Sequence, residues 1–257
     1  MKNYLLEKFR QGTPAIGTIS HLKSTTAIEA IGAVGLDYVM LDTEHCPMDI
    51  SEVHSCIVAA DAAGMSSLVR VNEISRSSVL QVLDIGAAGV IVPGIESVEQ
   101  VLDLIQYAKF RPLGNRGYCM TRDGKWGLSD TYCDGLPGYM SRSNTDTLLI
   151  PQCETLGCLH EIEAIAALPG VDGILIGPYD LSIAMGIDGQ FQHPDFLAAV
   201  TRIREACRAN GKMCIIFVGG EAEIKQRLSE GFDSILVGLD VLALIGYYSQ
   251  IKKTFLE

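Results

Sequence analysis

A chain of 257 residues exceeds the usual one-domain length but matches the roughly 250 residues that α/β barrels occupy as one unit, so a single domain over 1–257 is expected. With 31 acidic against 20 basic residues, a net charge of −11 and no run of Lys or Arg, the chain is unsuited to nucleic acid or anionic membranes. No apolar stretch approaches the ~20 residues of a membrane span, the first residues lack a signal-peptide core, and the eight cysteines include no C-x-x-C pair; reduced thiols in a cytoplasmic protein are the expectation.

In chain order, the first strand is expected at Ala15–Ser20, with His21 just after it. A short phrase then recurs: Gly35-Leu-Asp-Tyr-Val-Met-Leu-Asp42, Gly86-Ala-Ala-Gly-Val-Ile-Val-Pro93, Gly170-Val-Asp-Gly-Ile-Leu-Ile-Gly177 and Gly231-Phe-Asp-Ser-Ile-Leu-Val-Gly238. Each reads as helix stop, turn and buried strand, because glycine suits the left-handed position after a helix and an unbroken aliphatic run suits a strand covered on both faces. Residues 49–63 have helical period, with Asp49 and Glu52 forming a capping-box pattern and Gly64 past the end. Further strands are expected at 67–71, 148–152 and 213–218, which makes eight strand candidates, each followed by a plausible helix. That rhythm predicts a (β/α)8 TIM barrel. Residues 111–146 break it with scattered Gly, Pro, Ser and Asp; they are expected to form a long loop or lid, or an insertion packing on a neighbouring subunit.

Active groups in such barrels sit where strands end. There the sequence places Asp42, Glu44 and His45 after the second strand, Arg70 in the third, Gln152 and Glu154 at the fifth, and Asp180 after the sixth. Period-two alternation puts Gln152 and Glu154 on one side and Cys153 on the other. Two carboxylates, Glu154 and Asp180, meeting across the rim would repel each other unless a hard divalent cation lay between them, and oxygen ligands favour Mg²⁺ or Mn²⁺ over zinc. Arg70 suits an oxyanion, the helix start after Gly177-Pro178 offers N–H groups to a carboxylate, and His45 is the rim side chain suited to general base work near neutrality. Of the other histidines, His21 alone is expected to face the site. Cys46, beside the base, is expected to be a reactive thiol.

These residues also carry a family resemblance. Leu41-Asp-Thr-Glu-His45, Leu68-Val-Arg70, Gln81-Val-Leu-Asp84-Ile-Gly-Ala87, Asn115-Arg-Gly117, Gln152-x-Glu154 and Gly177-Pro-x-Asp180-Leu-Ser182 are similar, in order and over most of the chain, to the metal-dependent pyruvate aldolases of the HpcH/HpaI type. The resemblance implies cleavage of a 4-hydroxy-2-oxo acid to pyruvate, or a close 2-oxo acid, and an aldehyde, with Mg²⁺, Mn²⁺ or Co²⁺ as cofactor. It implies Glu154 and Asp180 as metal ligands, Gln152 and the backbone at Tyr179 as holders of the oxo acid, Arg70 on the enolate, and His45 as proton carrier. Asp42 stands with them in the catalytic group. Asp84 would raise the basicity of the histidine, and its place at a helix end suggests a neighbouring subunit's His45, hence a homo-oligomer, a hexamer by resemblance. Thr43 stands where many members have Gly, Cys46 where Ala is common, and residues 119–127 match poorly, which leaves the aldehyde open.

Independently of the resemblance, no strand candidate ends in lysine: Lys212 precedes the seventh strand, and Lys23 and Lys125 lie in loops. A Schiff-base route is therefore not expected. The rivals are a citrate-lyase or malyl-CoA-lyase relative, for whose phosphates the chain shows no basic cluster, a phosphate-binding barrel at Gly219-Gly220, opposed by Glu221, and a non-catalytic oligomeric scaffold.

Overall fold

The aliphatic runs close on one another as eight parallel strands: β1 (Ala15–Ser20), β2 (Tyr38–Asp42), β3 (Ser66–Arg70), β4 (Gly89–Val92), β5 (Leu148–Cys153), β6 (Gly173–Ile176), β7 (Met213–Val218) and β8 (Ser234–Leu239). They follow in sequence order around a closed barrel, β8 returning to β1 through pairs such as Ala15 with Ser234. The computed structural model describes residues 2–256. As expected for a sheet covered on both faces, β2 to β6 are buried along their whole length.

Alternation divides the core in two. Val39, Leu41, Val69, Val90, Ile174 and their like face the outer helices, while Tyr38, Met40, Leu68, Ile91, Ile150 and Leu175 fill the barrel. Cys153 joins the outer layer, as the alternation predicts. Tyr38 reaches over β1 to accept a hydrogen bond from Ser234 Oγ at 2.9 Å. A Cβ at Gly17 would lie 2.5 Å from its ring, so the neighbouring strand needs glycine there. The helix Tyr4–Arg10, which sequence reasoning did not anticipate, puts Leu5 and Leu6 into the interior cluster.

The helix Ile50–Ala62 carries the expected capping box in both directions, with Asp49 accepting from Glu52 N–H at 2.9 Å and Glu52 accepting from Asp49 N–H at 2.8 Å. Strand β3 starts one residue earlier than predicted. The 111–146 segment departs further. It contains 3-10 turns at Arg122–Gly127 and Asp130–Tyr132 and ends in an α-helix, Gly135–Asp146, so its last third is not a loop. It also joins the helix Val98–Ala108 to the start of β5, and therefore belongs to the N-terminal end of the barrel. Such a connection lies at the end away from the chain's own strand C-termini, so a lid formed by it does not close over this chain's own site. Buried Lys109 fastens it there, donating to Asn144 O at 3.0 Å, Thr147 O at 2.6 Å and Asp172 Oδ2 at 2.7 Å.

Candidate active site

At the opposite end, strand register decides which polar groups meet. In parallel strands paired residues point the same way, and β2 and β3 pair Asp42 with Arg70. The result is a two-pronged ion pair at the barrel mouth, with Arg70 Nε donating to Asp42 Oδ1 at 2.9 Å and Nη2 to Oδ2 at 2.8 Å. Asp42 is fully buried, and it also accepts from Glu44 N–H at 3.0 Å while its Oδ2 lies 2.7 Å from His21 Nε2. Burial opposes its ionisation, but the Arg70 fork, the Glu44 N–H and His21 together outweigh burial and hold the carboxyl below its usual range.

Glu44 completes the cluster with Oε2 3.2 Å from Arg70 Nη1 and 3.8 Å from His45 Nε2. Burial raises its pKa, and Arg70 only partly offsets this. His45 is largely exposed on the rim and lines the same cavity as His21 and Arg70, a space of about 350 Å³.

Across the mouth, β5 and β6 bring in Gln152, Glu154 and Asp180. Gln152 pairs in register with Leu175 and both face the cavity. Glu154 accepts from Gly94 N–H at 2.8 Å and from the Gln152 amide. A Cβ on Gly177 would sit 2.9 Å from Glu154 Oε2 and 3.1 Å from Gln152 Nε2, so the glycine before Pro178 lets these strands close on each other. Asp180 stands exposed in the first turn of the helix Pro178–Ala184, beside Tyr179. Burial, together with the Asp180 charge, raises the Glu154 pKa despite its hydrogen bonds. Gln152 Oε1 is buried with no hydrogen-bond partner among the described residues.

The donor set suits a hard divalent cation. Glu154 and Asp180 supply oxygen only, the Glu154 carboxylate is costly to ionise without a nearby positive charge, and the carbonyl oxygen of Gln152 is unsatisfied. Among the described residues no three His, Cys, Asp or Glu side chains gather to hold an ion by themselves, so substrate and water would complete the shell, as is usual for Mg²⁺. Among the described residues no lysine lines the cavity; Lys23 pairs with Glu52 at 2.7 Å and Lys212 with main-chain carbonyls.

The HpcH/HpaI aldolase/citrate lyase family model matches residues 16–246, which spans every strand except the first residue of β1. The chain belongs to that family. Its relatives include the hydroxypyruvate/pyruvate aldolase of Roseobacter denitrificans, 28% identical over 245 residues (95% of this chain, 93% of that one). The 5-keto-4-deoxy-D-glucarate aldolase of Salmonella paratyphi A is 31% identical over 241 residues (93% and 91%). Among solved structures, the HpcH/HpaI aldolase of Desulfitobacterium hafniense DCB-2 superposes with a TM-score of 0.91 at 28% identity, covering 100% of this chain and 98% of its own. The aldolases of this HpcH/HpaI family depend on a divalent metal.

Set against that family pattern, Asp42, His45, Arg70, Gln152, Tyr179, Glu154 and Asp180 all come to one mouth. Asp84 does not. It ends the helix Arg76–Asp84 at the N-terminal face, where Arg116 Nη2 donates to it at 2.8 Å and to Asp123 Oδ2 at 2.9 Å. Burial raises its pKa in spite of Arg116. It has no route to His45 of its own chain. The Cys46 thiol departs from expectation: burial and the Asp42 charge push its pKa up, and its S–H points to His21 O at 3.4 Å, the reverse of an activated thiolate.

Sequence reasoning missed Asp240. This buried carboxylate opens the C-terminal helix Asp240–Leu256 and accepts from Ser20 Oγ at 2.7 Å, His21 N–H at 2.9 Å and Leu22 N–H at 3.2 Å, fixing the backbone from which His21 reaches Asp42. Its partners lie about 220 positions away, so no local pattern announces the contact.

Proposed function

We propose that the protein is a metal-dependent aldolase that reversibly cleaves a 4-hydroxy-2-oxo acid to pyruvate, or a close 2-oxo acid, and an aldehyde. The observation that carries this reading is the buried Glu154 beside Asp180, facing Arg70 across one cavity that no lysine among the described residues lines. A divalent ion held by Glu154 and Asp180, with Mg²⁺ or Mn²⁺ favoured and Co²⁺ usable, would polarise the 2-oxo group in place of a Schiff base.

The remaining work falls to the chain's own residues. Arg70, oriented by the Asp42 fork, donates to the oxygen that gains charge as the enolate forms. Gln152 and the Tyr179 N–H hold the oxo acid. His45 takes the proton from the 4-hydroxyl in cleavage and returns it in condensation, and its exposed position leaves its ring free to reach the aldehyde end. Asp84 of a neighbouring copy is assigned to raise the basicity of that histidine. A homo-oligomer, with a hexamer as the reading, is supported by the C-terminal helix, where Leu244, Ile245, Tyr247, Tyr248 and Phe255 are exposed. A cytoplasmic location is supported by the eight free cysteines, and a single domain by the one closed barrel into which all eight strands fall. No helix among the described residues is long and apolar enough to cross a membrane.

The test is pyruvate release from a panel of 4-hydroxy-2-oxo acids. Chelation should abolish it and Mg²⁺ or Mn²⁺ restore it, with Glu154→Ala and Asp180→Ala folded but inactive. Borohydride trapping of a pyruvate adduct on metal-free protein would overturn the reading.

A further inference from the structure

Cleavage of a 4-hydroxy-2-oxo acid moves protons at two atoms: one leaves the 4-hydroxyl, and one is added to C3 once the enolate has formed. His45, 63% exposed on the rim, serves the first. A second histidine lines the same cavity and is better sheltered: His21, directly after β1, has a side chain only 22% exposed.

The chain holds this second ring from both ends. Asp240 accepts from the His21 and Leu22 N–H groups and from Ser20 Oγ, which fixes the backbone. At the far end of the side chain, Nε2 lies 2.7 Å from Asp42 Oδ2. The Arg70 fork keeps Asp42 ionised, and an ionised carboxylate only accepts, so the proton in that contact belongs to Nε2. In the neutral ring this leaves Nδ1 with its lone pair, pointing away from Asp42, and among the described residues Nδ1 has no hydrogen-bond partner. A buried carboxylate that fixes the tautomer and stabilises the imidazolium is the arrangement that makes a histidine an effective base.

The same carboxylate oxygen sets where that base stands. Asp42 Oδ2 accepts from Arg70 Nη2 at 2.8 Å and from His21 Nε2 at 2.7 Å, so guanidinium and imidazole are immediate neighbours. Arg70 donates to the oxygen on C2 of the oxo acid, and C3 is the next carbon. Resting on the aldolase reading above, we propose that His21 is a second catalytic residue, which moves the C3 proton while His45 moves the hydroxyl proton. In cleavage the C3–C4 electron pair becomes the enolate, and C3 takes a proton from Nδ1 of the imidazolium, which returns to the neutral ring. In condensation Nδ1 takes that proton from C3, and the electron pair left there attacks the aldehyde carbon. No further reactant is needed, and Asp42 keeps its charge throughout.

The experiment uses the full chain with Mg²⁺ or Mn²⁺ and two readouts. Exchange of the pyruvate methyl protons in D₂O, without aldehyde, reports the C3 proton transfer. Calorimetric affinity for oxalate, which has the shape of the enolate but no C3, reports Arg70 and the rest of the oxo-acid site. His21→Gln can keep an N–H against Asp42 but carries no base. It should exchange on the order of 10²–10⁴-fold more slowly than wild type while binding oxalate equally well. His21→Ala should lose exchange to the same degree and regain it, saturably, with added imidazole. Exchange that survives His21→Gln leaves the proton to another group and overturns the assignment. A parallel loss of exchange and oxalate affinity reduces His21 to a positioning group for Arg70 and overturns it too, as does His21→Ala that imidazole does not restore; all three leave the aldolase reading standing. Wild-type protein that exchanges no methyl proton overturns the aldolase reading, and the assignment of His21 falls with it.

Discussion

Replacing Asp42 by asparagine keeps the shape of the side chain and removes its charge, which isolates what the fork to Arg70 does. Oδ1 accepts from Arg70 Nε at 2.9 Å and from Glu44 N–H at 3.0 Å; Oδ2 accepts from Arg70 Nη2 at 2.8 Å and lies 2.7 Å from His21 Nε2. Asparagine offers only one acceptor oxygen to these neighbours. With its NH₂ in the Oδ2 position, His21 can change tautomer and accept, but Arg70 Nη2 then faces another donor. The guanidinium also loses its buried counter-charge, leaving Glu44 at 3.2 Å as its remaining partner. Removing one member of a buried pair costs about 3–5 kcal/mol. At roughly 2–4 °C per kcal/mol for a chain of this size, the Tm of Asp42→Asn should fall by about 6–20 °C in calorimetry at pH 7.

Acid supplies a second readout. The folded pKa of Asp42 is lowered, so its stabilisation is fully present above the unfolded value near 3.9 and is lost as pH falls through the folded value. The gap in stability between wild type and Asp42→Asn should therefore close below about pH 4. A variant within about 1 kcal/mol of wild type at pH 7, or a gap that persists in acid, would refute the assignment of Asp42 as the anchor of Arg70.

Glu154→Gln should abolish metal-dependent activity yet leave the metal-free protein as stable as wild type or more so by about 1–2 kcal/mol at pH 7, because burial, which raises the pKa of this carboxylate, makes its ionised form costly to hold. Melting curves with and without Mg²⁺ check this, and a strongly destabilised metal-free variant would contradict it. His45→Ala should lower kcat on the order of 10²–10⁴-fold with little change in oxo-acid binding by calorimetry; near-normal turnover across pH would place the base elsewhere. Arg70→Ala should lower kcat and raise KM together, whereas an effect on KM alone would limit the arginine to ground-state binding. Mixing inactive His45→Ala with inactive Asp84→Asn subunits should restore activity in hybrids that pair the intact residues across an interface. No recovery after proven subunit exchange would confine Asp84 to its ion pair with Arg116.

The local grammar of the chain determined the barrel and most of its mouth. Glycine after a helix, as in the four recurring phrases, and aliphatic runs buried on both faces are short-range requirements, so eight strands were legible, and strand ends carry chemistry in this fold wherever they fall. Asp42, His45, Arg70, Gln152, Glu154 and Asp180 could be gathered on that basis before any contact was known. Closure of the barrel decided the rest, because who faces whom depends on register and on strands far apart in sequence. It paired Asp42 with Arg70, left Gln152 Oε1 without a hydrogen-bond partner among the described residues, and put residues 111–146 and Asp84 at the far end from the site. It also joined Asp240 to Ser20 and His21 across some 220 positions. Period and capping report only whether a side chain is buried and where an element ends; the identity of its neighbour is a property of the closed sheet.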